Sequence, residues 1–346
     1  MKVLWTTNEP PMEHASLIFI SSLQRKLVDF GIEVELIRLG NLRSPWAIRR
    51  ASRIVNDCAR FFDVIHAQNG SACALASSRC TGRPFIVTLR GSDWNVHPDR
   101  LHWLFYHTHL AKWFSECAIK RADTVICVSH RLRQEVLRQF KTMRVEYMPT
   151  PIDMSQFRPF VGNIIDAKQV LRDGRDITRP WVLFNSLNIT SPIKRFTLAK
   201  AAVVEAERLL SDRVELIIAH SMSHNRIPAL TRACDLILST STKEGWPNCV
   251  KEALASNVPF VATDTSDLSE IAAIETSCRV TDATPTALGA AIAEVIKFDR
   301  SNPPINLRRH IEHMELEASA QRLIECYRTT IRGNKPISDI DSIANG

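Results

Sequence analysis

Short apolar runs alternate with helix-patterned stretches along nearly the whole chain, and the alternation is laid down twice, on either side of a proline-rich joint. In the first block KVLWTT, IEVELIRLG, DVIHAQN, PFIVTLRGSD, DTVICVS and RVEYMPT read as strands. Between them SLIFISSLQRKLVDFG, RRASRIVNDCARFF, SACALASSRCTG, LHWLFYHTHLAKWFSECAIKRA and RLRQEVLRQF carry helical spacing of apolar residues. Strands separated by helices cannot pair as hairpins, so this order predicts a parallel sheet covered on both faces. At PTPIDMSQFRPF, Pro149, Pro151 and Pro159 can continue neither a helix nor a central strand. The alternation then resumes with WVLFNSL, VELIIAH, DLILST and PFVATDT among the helices FTLAKAAVVEAERLL, IPALTRA and one after Pro247. The expected architecture is α/β, with two doubly wound Rossmann-like domains at 1–156 and 157–346 facing each other across a cleft. A charged helix and turn is expected over 161–179. A long amphipathic helix at about 316–332 is expected to cross back to the first domain, ahead of a frayed tail at 334–346.

The charge is divided unevenly. Residues 1–150 hold 21 Lys and Arg against 13 Asp and Glu, a balance of 21−13 = +8, whereas the remainder holds 44−21 = 23 against 37−13 = 24, or −1. A basic first half suits an anionic partner, such as a membrane surface or a lipid phosphate, and equally reads as solubilising charge. No helix concentrates basic and base-reading side chains, so nucleic acid is not expected as a partner. The start of the chain lacks a signal-peptide pattern and no long apolar run appears, so a cytoplasmic protein is expected, peripheral at the inner face of a membrane if at all. Nine cysteines lie scattered among apolar neighbours without a C-x-x-C pair, which reads as small buried hydrophobes in a reducing compartment rather than a zinc site. His107 and His109 stand two apart on a helix and point to different faces, so the histidines 97, 102, 107 and 109 predict no metal. Trp103, Phe105, Tyr106, Trp113 and Phe114, with Lys112, Lys120 and Arg121 nearby, read mainly as core packing, with a membrane-facing helix as the alternative.

The segment EGWPNCVKEALA, residues 244–255, carries the most chemistry. Glu244 falls in a loop after an apolar strand, and Glu252 lies a little over a turn into the following helix, whose first turn suits Pro247. A loop carboxylate, unpaired helix-start N–H groups and a second carboxylate then surround one crevice at a strand's carboxyl end, a place suited to a diphosphate flanked by polyols. The loop NEPPMEHA after the first strand has no G-x-G-x-x-G, which disfavours a nicotinamide site.

With ACDLILSTSTKEGWPNCVKEALASNVPFVATDTSDLSEI, preceded in order by DVIHAQ, VTLRGSDW, ADTVICVS and MPTPIDMSQFRP, the chain resembles the GT-B glycosyltransferases, in particular glycosyltransferase family 4, over nearly its full length. The resemblance implies retaining transfer of a hexose from a nucleotide sugar, donor in the second domain and acceptor in the first, with no metal or other cofactor required. By motif, Glu244 lies near the transferred sugar, the backbone of Gly245, Trp246, Pro247 and Asn248 borders the sugar and diphosphate, and Glu252 accepts from ribose hydroxyls. Lys194 matches the family's phosphate-binding lysine. The family's preceding arginine is replaced by Leu187 and Asn188, and Arg195 is the candidate substitute. In the first domain, Pro10 to His14 replace a Gly-Gly loop, which leaves Glu13 and His14 as acceptor-side candidates. Arg90 stands where many members carry His, Asp93 keeps the carboxylate position, and His66 reads either as a packed strand-end histidine or as a substrate contact. The acceptor implied is a glycan or lipid-linked saccharide in cell-surface polysaccharide or lipopolysaccharide assembly. The alternatives are a non-catalytic GT-B-like binder of nucleotide sugars or partners, and a GT-B sugar-nucleotide epimerase.

Overall fold

The computed structural model describes residues 1–8, 18–80, 82–97, 104–141, 143–220, 222–298 and 305–333. Two compact units emerge: Met1–Thr150 together with the chain from Leu316 onward, and Pro151–Glu315. The division falls after Thr150 rather than after residue 156, because Ile152, Met154 and Phe157 bury their side chains in the second unit's core.

In unit 1, six parallel strands, β1 (Lys2–Thr7), β2 (Glu33–Arg38), β3 (Val64–Ala67), β4 (Phe85–Leu89), β5 (Thr124–Cys127) and β6 (Val145–Tyr147), lie in the order β2-β1-β3-β4-β5-β6. Side chains alternate along a strand, so each strand feeds both faces of the sheet. Val3, Trp5, Val64, Ile86 and Ile126 pack under α1 (Ile18–Asp29), together with Leu323 and Tyr327 of the closing helix. Leu4, Ile65, Val87, Leu89 and Val125 pack on the other side, under α2 (Pro45–Ala59), α3 (Ser71–Ser77), α4 (Leu104–Ile119) and α5 (His130–Gln139). Helix starts follow capping chemistry. Ser44 accepts from the Ala47 amide with Pro45 in the first turn of α2, and Ser129 accepts from the Leu132 amide at α5.

Unit 2 places β7 (Trp181–Asn185), β8 (Glu215–Ala219), β9 (Leu236–Ser239), β10 (Phe260–Thr263) and β11 (Arg279–Thr281) in the parallel order β11-β10-β9-β7-β8. One face carries α8 (Ile227–Ala233), α9 (Asn248–Ala255) and α10 (Leu268–Ile274). The other carries α7 (Phe196–Leu210) and α11 (Pro285–Lys297). The charged stretch after the joint forms α6 (Ile164–Leu171), anchored by the buried Lys168 ammonium, 2.7 Å from Asp235. At Gly289 the closeness of α11 to α7 is explicit: an added Cβ would sit 2.6 Å from the Glu205 Cβ.

The structure holds three elements beyond those expected from sequence, α10, β11 and α11. β11 has three residues, too few to show an alternating pattern. The signal for α11 was present in TPTALGAA, where Thr284 caps the helix and Pro285 opens it. The closing helix α12 (Leu316–Gly333) docks in unit 1 along its Leu323, Ile324 and Tyr327 face, and residues of the expected tail at 334–346 lie outside the described residues.

Candidate active site

In unit 2, polar groups gather at the carboxyl ends of β7 and β9. Lys194, in the loop after β7, places its Nζ 2.5 Å from Glu244 Oε1, in the loop after β9. Burial works against the lysine's charge, but the Glu244 carboxylate outweighs it and holds the ammonium above the ordinary lysine range. Glu252, the fifth residue of α9, accepts from Asn185 Nδ2 at 3.2 Å, the last residue of β7. Burial raises the Glu252 carboxyl to about 7, against the opposing pull of Lys251 and the Asn185 hydrogen bond. The same burial pushes Cys249, between the two carboxylates, up to about 12, so it stays a neutral thiol.

The loops that hold these groups are pinned by hydroxyls and backbone. Thr240 Oγ1 donates to the Lys194 carbonyl at 2.7 Å, and the Thr242 amide donates to the Ile193 carbonyl at 2.9 Å. Thr263 Oγ1 donates to the Ser241 carbonyl at 2.6 Å, and Ser266 Oγ donates to the Gly245 carbonyl at 2.5 Å. Helix α9 starts at Asn248 with Pro247 as its cap residue, one position later than expected, and no side chain caps it. Its first amides, Asn248 and Cys249, precede any intrahelical acceptor and present a partial positive charge. Trp246 is buried against the core, with the Lys251 Nζ 5.9 Å above its ring. The Trp246 Nε1 and the Thr265 Oγ1 are buried without a hydrogen-bond partner.

Arg195 has a left-handed backbone, at φ 50, and its guanidinium donates to the Thr240 carbonyl at 2.6 Å and the Ser241 carbonyl at 3.0 Å, which ties the Lys194 loop to the β9 loop. Asn185, Thr240, Thr263 and Ser266 were not singled out from sequence. The hydroxyl-rich runs that start on the last residues of β9 and β10, STST and TDTS, were the available signal.

In unit 1 the candidate residues are turned inward. His66 is 2% exposed, with Nδ1 2.7 Å from the Tyr327 hydroxyl and Nε2 2.7 Å from Thr88 Oγ1. Trp5 Nε1 donates to that same tyrosine hydroxyl at 2.8 Å. Arg90 donates to Gln68 Oε1 at 3.1 Å, which turns the Gln68 Nε2 to His66 Nδ1, also at 3.1 Å; Nδ1 therefore accepts, and the imidazole carries its proton on Nε2. Burial, aided by Arg90, lowers the His66 pKa to about 3. His66 is therefore packed at the end of its strand, with both ring nitrogens on protein partners. Asp93, 4% exposed, accepts from the amides of Gly70 at 2.6 Å, Gly91 at 2.9 Å and Arg90 at 2.9 Å. Burial raises its carboxyl, partly offset by those amides from Gly70, Arg90 and Gly91. Asp93 thus ties three loop amides together at the ends of β3 and β4. Arg90 lies over the Phe19 ring at 4.4 Å and donates to the Gln68 carbonyl at 2.5 Å and to Thr150 Oγ1 at 3.3 Å. Glu13 and His14 lie outside the described residues.

Two parallel-sheet α/β units, the second with a lysine, two carboxylates and an uncapped helix start at its strand ends, are the features to set beside known proteins. The sequence model of Glycosyltransferase Family 4 matches residues 3–156, and that of Glycosyl transferases group 1 matches residues 197–297. A relative named as a teichuronic acid biosynthesis glycosyltransferase, TuaC of Bacillus subtilis (strain 168), is 26% identical over 227 residues, 60% of this chain; the match spans 55% of that protein's length. Sucrose-phosphate synthase from Thermosynechococcus elongatus superposes with a TM-score of 0.71 at 15% identity, covering 96% of this chain and 99% of that one. Anabaena HepE in complex with UDP and glucose gives 0.68 at 16% identity, covering 95% and 100%. The chain is thus similar to glycosyltransferases in both units, to Glycosyltransferase Family 4 in the first and to Glycosyl transferases group 1 in the second, and its fold is like that of the solved glycosyltransferase structures.

Proposed function

We propose that this chain is a retaining glycosyltransferase that moves a hexose from a nucleoside diphosphate sugar to a glycan or lipid-linked saccharide in cell-surface polysaccharide assembly. The observation that carries the reading is the convergence of Lys194, Glu244 and Glu252 around the strand ends of unit 2. HepE, similar in fold, is a protein seen with UDP and glucose, and TuaC is named for teichuronic acid biosynthesis. In this reading the diphosphate lies against the start of α9 and draws the Lys194 ammonium from Glu244. A charge-assisted hydrogen bond of about 1.5–3 kcal/mol stabilises the leaving group as its charge grows. Glu244 then faces the sugar, and ionised Glu252 accepts from the ribose hydroxyls. The bond from the anomeric carbon to the phosphate oxygen breaks, the acceptor oxygen bonds to that carbon on the same face, and the acceptor's proton passes to the departing phosphate oxygen. No side-chain base is then needed, in keeping with the inward-turned Asp93 and His66.

The test is thermal-shift screening against nucleoside diphosphates and nucleotide sugars, with Glu252→Ala alongside, followed by NMR of the product's anomeric configuration. Stabilisation by one nucleotide that is lost in the variant, with retained configuration in the product, is expected. No shift at saturating nucleotide would sink the donor reading, donor binding without transfer would favour the non-catalytic binder, and donor turnover without acceptor would favour the epimerase.

A further inference from the structure

Side chains alternate across β7, and its last residue breaks the row to which it belongs. Trp181 and Leu183 point to the α9 side of the sheet and join the apolar cluster that holds Val250, Ala253 and Leu254 of α9. Val182 and Phe184 turn to the other face, against α7 and α11. Asn185 is the next residue of the first row, an amide where two apolar side chains precede it. On α9, Val250, Ala253 and Leu254 form the buried face, and Glu252 falls beside it, one turn on from Cys249. Row and helix meet where Asn185 Nδ2 donates to Glu252 Oε2 at 3.2 Å. Among the described residues this is the one hydrogen bond that the Glu252 carboxylate makes.

The asparagine is rooted on a strand paired on both sides, between β9 and β8. It lies in register with Ala219 of β8, and the Ser186 amide that follows it donates to the Ala219 carbonyl at 3.1 Å. A side chain carried on such a strand fixes what it touches more tightly than one carried on a loop. An ionised carboxylate only accepts, so the Asn185 amide presents its Nδ2. A carboxylate offers about four lone-pair positions, and Asn185 takes one of those on Oε2. The other neighbours hold the group less specifically: Lys251 bears on it through charge, and the neutral Cys249 thiol is a weak donor.

We propose that Asn185 is a positioning residue that sets the preference of the unit 2 site for ribose over 2′-deoxyribose. The proposal rests on the donor reading above, in which Glu252 accepts from ribose hydroxyls, and adds what makes that acceptance selective. Two neighbouring hydroxyls are met together only when the plane of the carboxylate is fixed. With Oε2 tethered to the strand, rotation about the last side-chain bond stops and the free lone pairs face one way. A nucleotide without the 2′-hydroxyl then leaves a half-buried acceptor unpaired, which lowers its affinity. An untethered carboxylate turns to serve a single hydroxyl equally well, and the penalty for a missing one falls.

Calorimetric titration of the full chain tests it, with UDP, CDP, GDP and ADP and the 2′-deoxy counterpart of whichever binds. The parent is expected to favour the ribonucleotide by at least about tenfold. Asn185→Ala should bind that ribonucleotide about five- to tenfold more weakly and its 2′-deoxy counterpart about as the parent does, so that the preference shrinks to about twofold. Asn185→Ser, which keeps a small polar side chain on the strand but no amide, should behave alike. The two affinities are compared within one variant, so a change in the folded fraction cancels. In a Glu252→Gln background, Asn185→Ala should add less than about twofold, because the carboxylate it positions is gone. An undiminished preference in both Asn185 variants, an equal loss for both nucleotides, or a full effect of Asn185→Ala in the Glu252→Gln background would overturn the proposal and leave the donor reading in place. So would a parent that binds the ribose and 2′-deoxyribose forms equally. A parent that binds none of the ribonucleotides would overturn the donor reading itself, and the proposal with it.

Discussion

The strand ends of the two units carry the same kinds of residue and use them in opposite ways. In unit 1, His66, Asp93 and Arg90 are spent on protein partners: the histidine on Tyr327 and Thr88, the aspartate on three loop amides, the arginine on Gln68 and Thr150. In unit 2, Lys194 and Glu244 answer chiefly to each other, Glu252 leans on one asparagine, and the Trp246 and Thr265 polar atoms have no partner. A saturated polar network stabilises its fold and resists exchange, whereas a sparsely bonded set can trade partners with a ligand. Residue type alone therefore does not mark a site; the number of internal partners does.

The largest expected effect comes from breaking the unit 2 side. Lys194→Ala should slow sugar transfer by roughly 100- to 1000-fold, measured as nucleoside diphosphate release, while the melting temperature changes little. In unit 1 the contrast inverts. Asp93→Ala would strand three loop amides, and should cost about 3 kcal/mol or more in denaturant unfolding, without altering nucleotide binding by the surviving folded protein. Tyr327→Phe removes the acceptor of Trp5 and the donor to His66, and about 1–3 kcal/mol of stability should go with it, again with nucleotide affinity unchanged.

The smallest effect concerns pH. The Glu252 carboxyl titrates near 7 in the folded chain, above its ordinary 4.5, so folding favours its protonated form. The stability it contributes is fully present below about 4.5 and is lost as pH rises through about 7. In the proposed function the Glu252 carboxylate accepts from ribose hydroxyls, so nucleotide affinity should rise, by up to about tenfold, between roughly pH 6 and pH 8. Thermal melts and calorimetric titrations across that window should show both slopes, and Glu252→Gln should flatten both.

Much of this was legible in the linear pattern. Ten of the strands announce themselves as apolar runs between helices, and the spacing of Glu244 and Glu252 across a loop-to-helix junction pointed to the polar cluster at the strand ends of unit 2. Less legible was the fate of individual polar groups. The aromatics of α4 read mainly as core, yet the helix divides them, with Phe114 turned towards α3 and Tyr106 and Trp113 turned to solvent. A period of 3.6 residues sorts side chains by face, but which face meets a neighbour depends on where α3 lies. The partners of Arg195 were likewise hidden, because the β9 loop that supplies its carbonyls lies 45 residues away.

What the sequence determined by itself is therefore local: strand and helix order, the break near the prolines, and the carboxylates and lysine placed where parallel strands end. Those follow from propensity, period and turn chemistry, all carried by neighbours in the chain. Only the tertiary structure decided that Tyr327, 322 residues from Trp5, closes the polar network of unit 1, that Asp93 serves its own loop, and that the joint at Pro151–Phe157 belongs to unit 2. Partner and burial are set by distant segments meeting, and no window of sequence contains both sides of such a meeting.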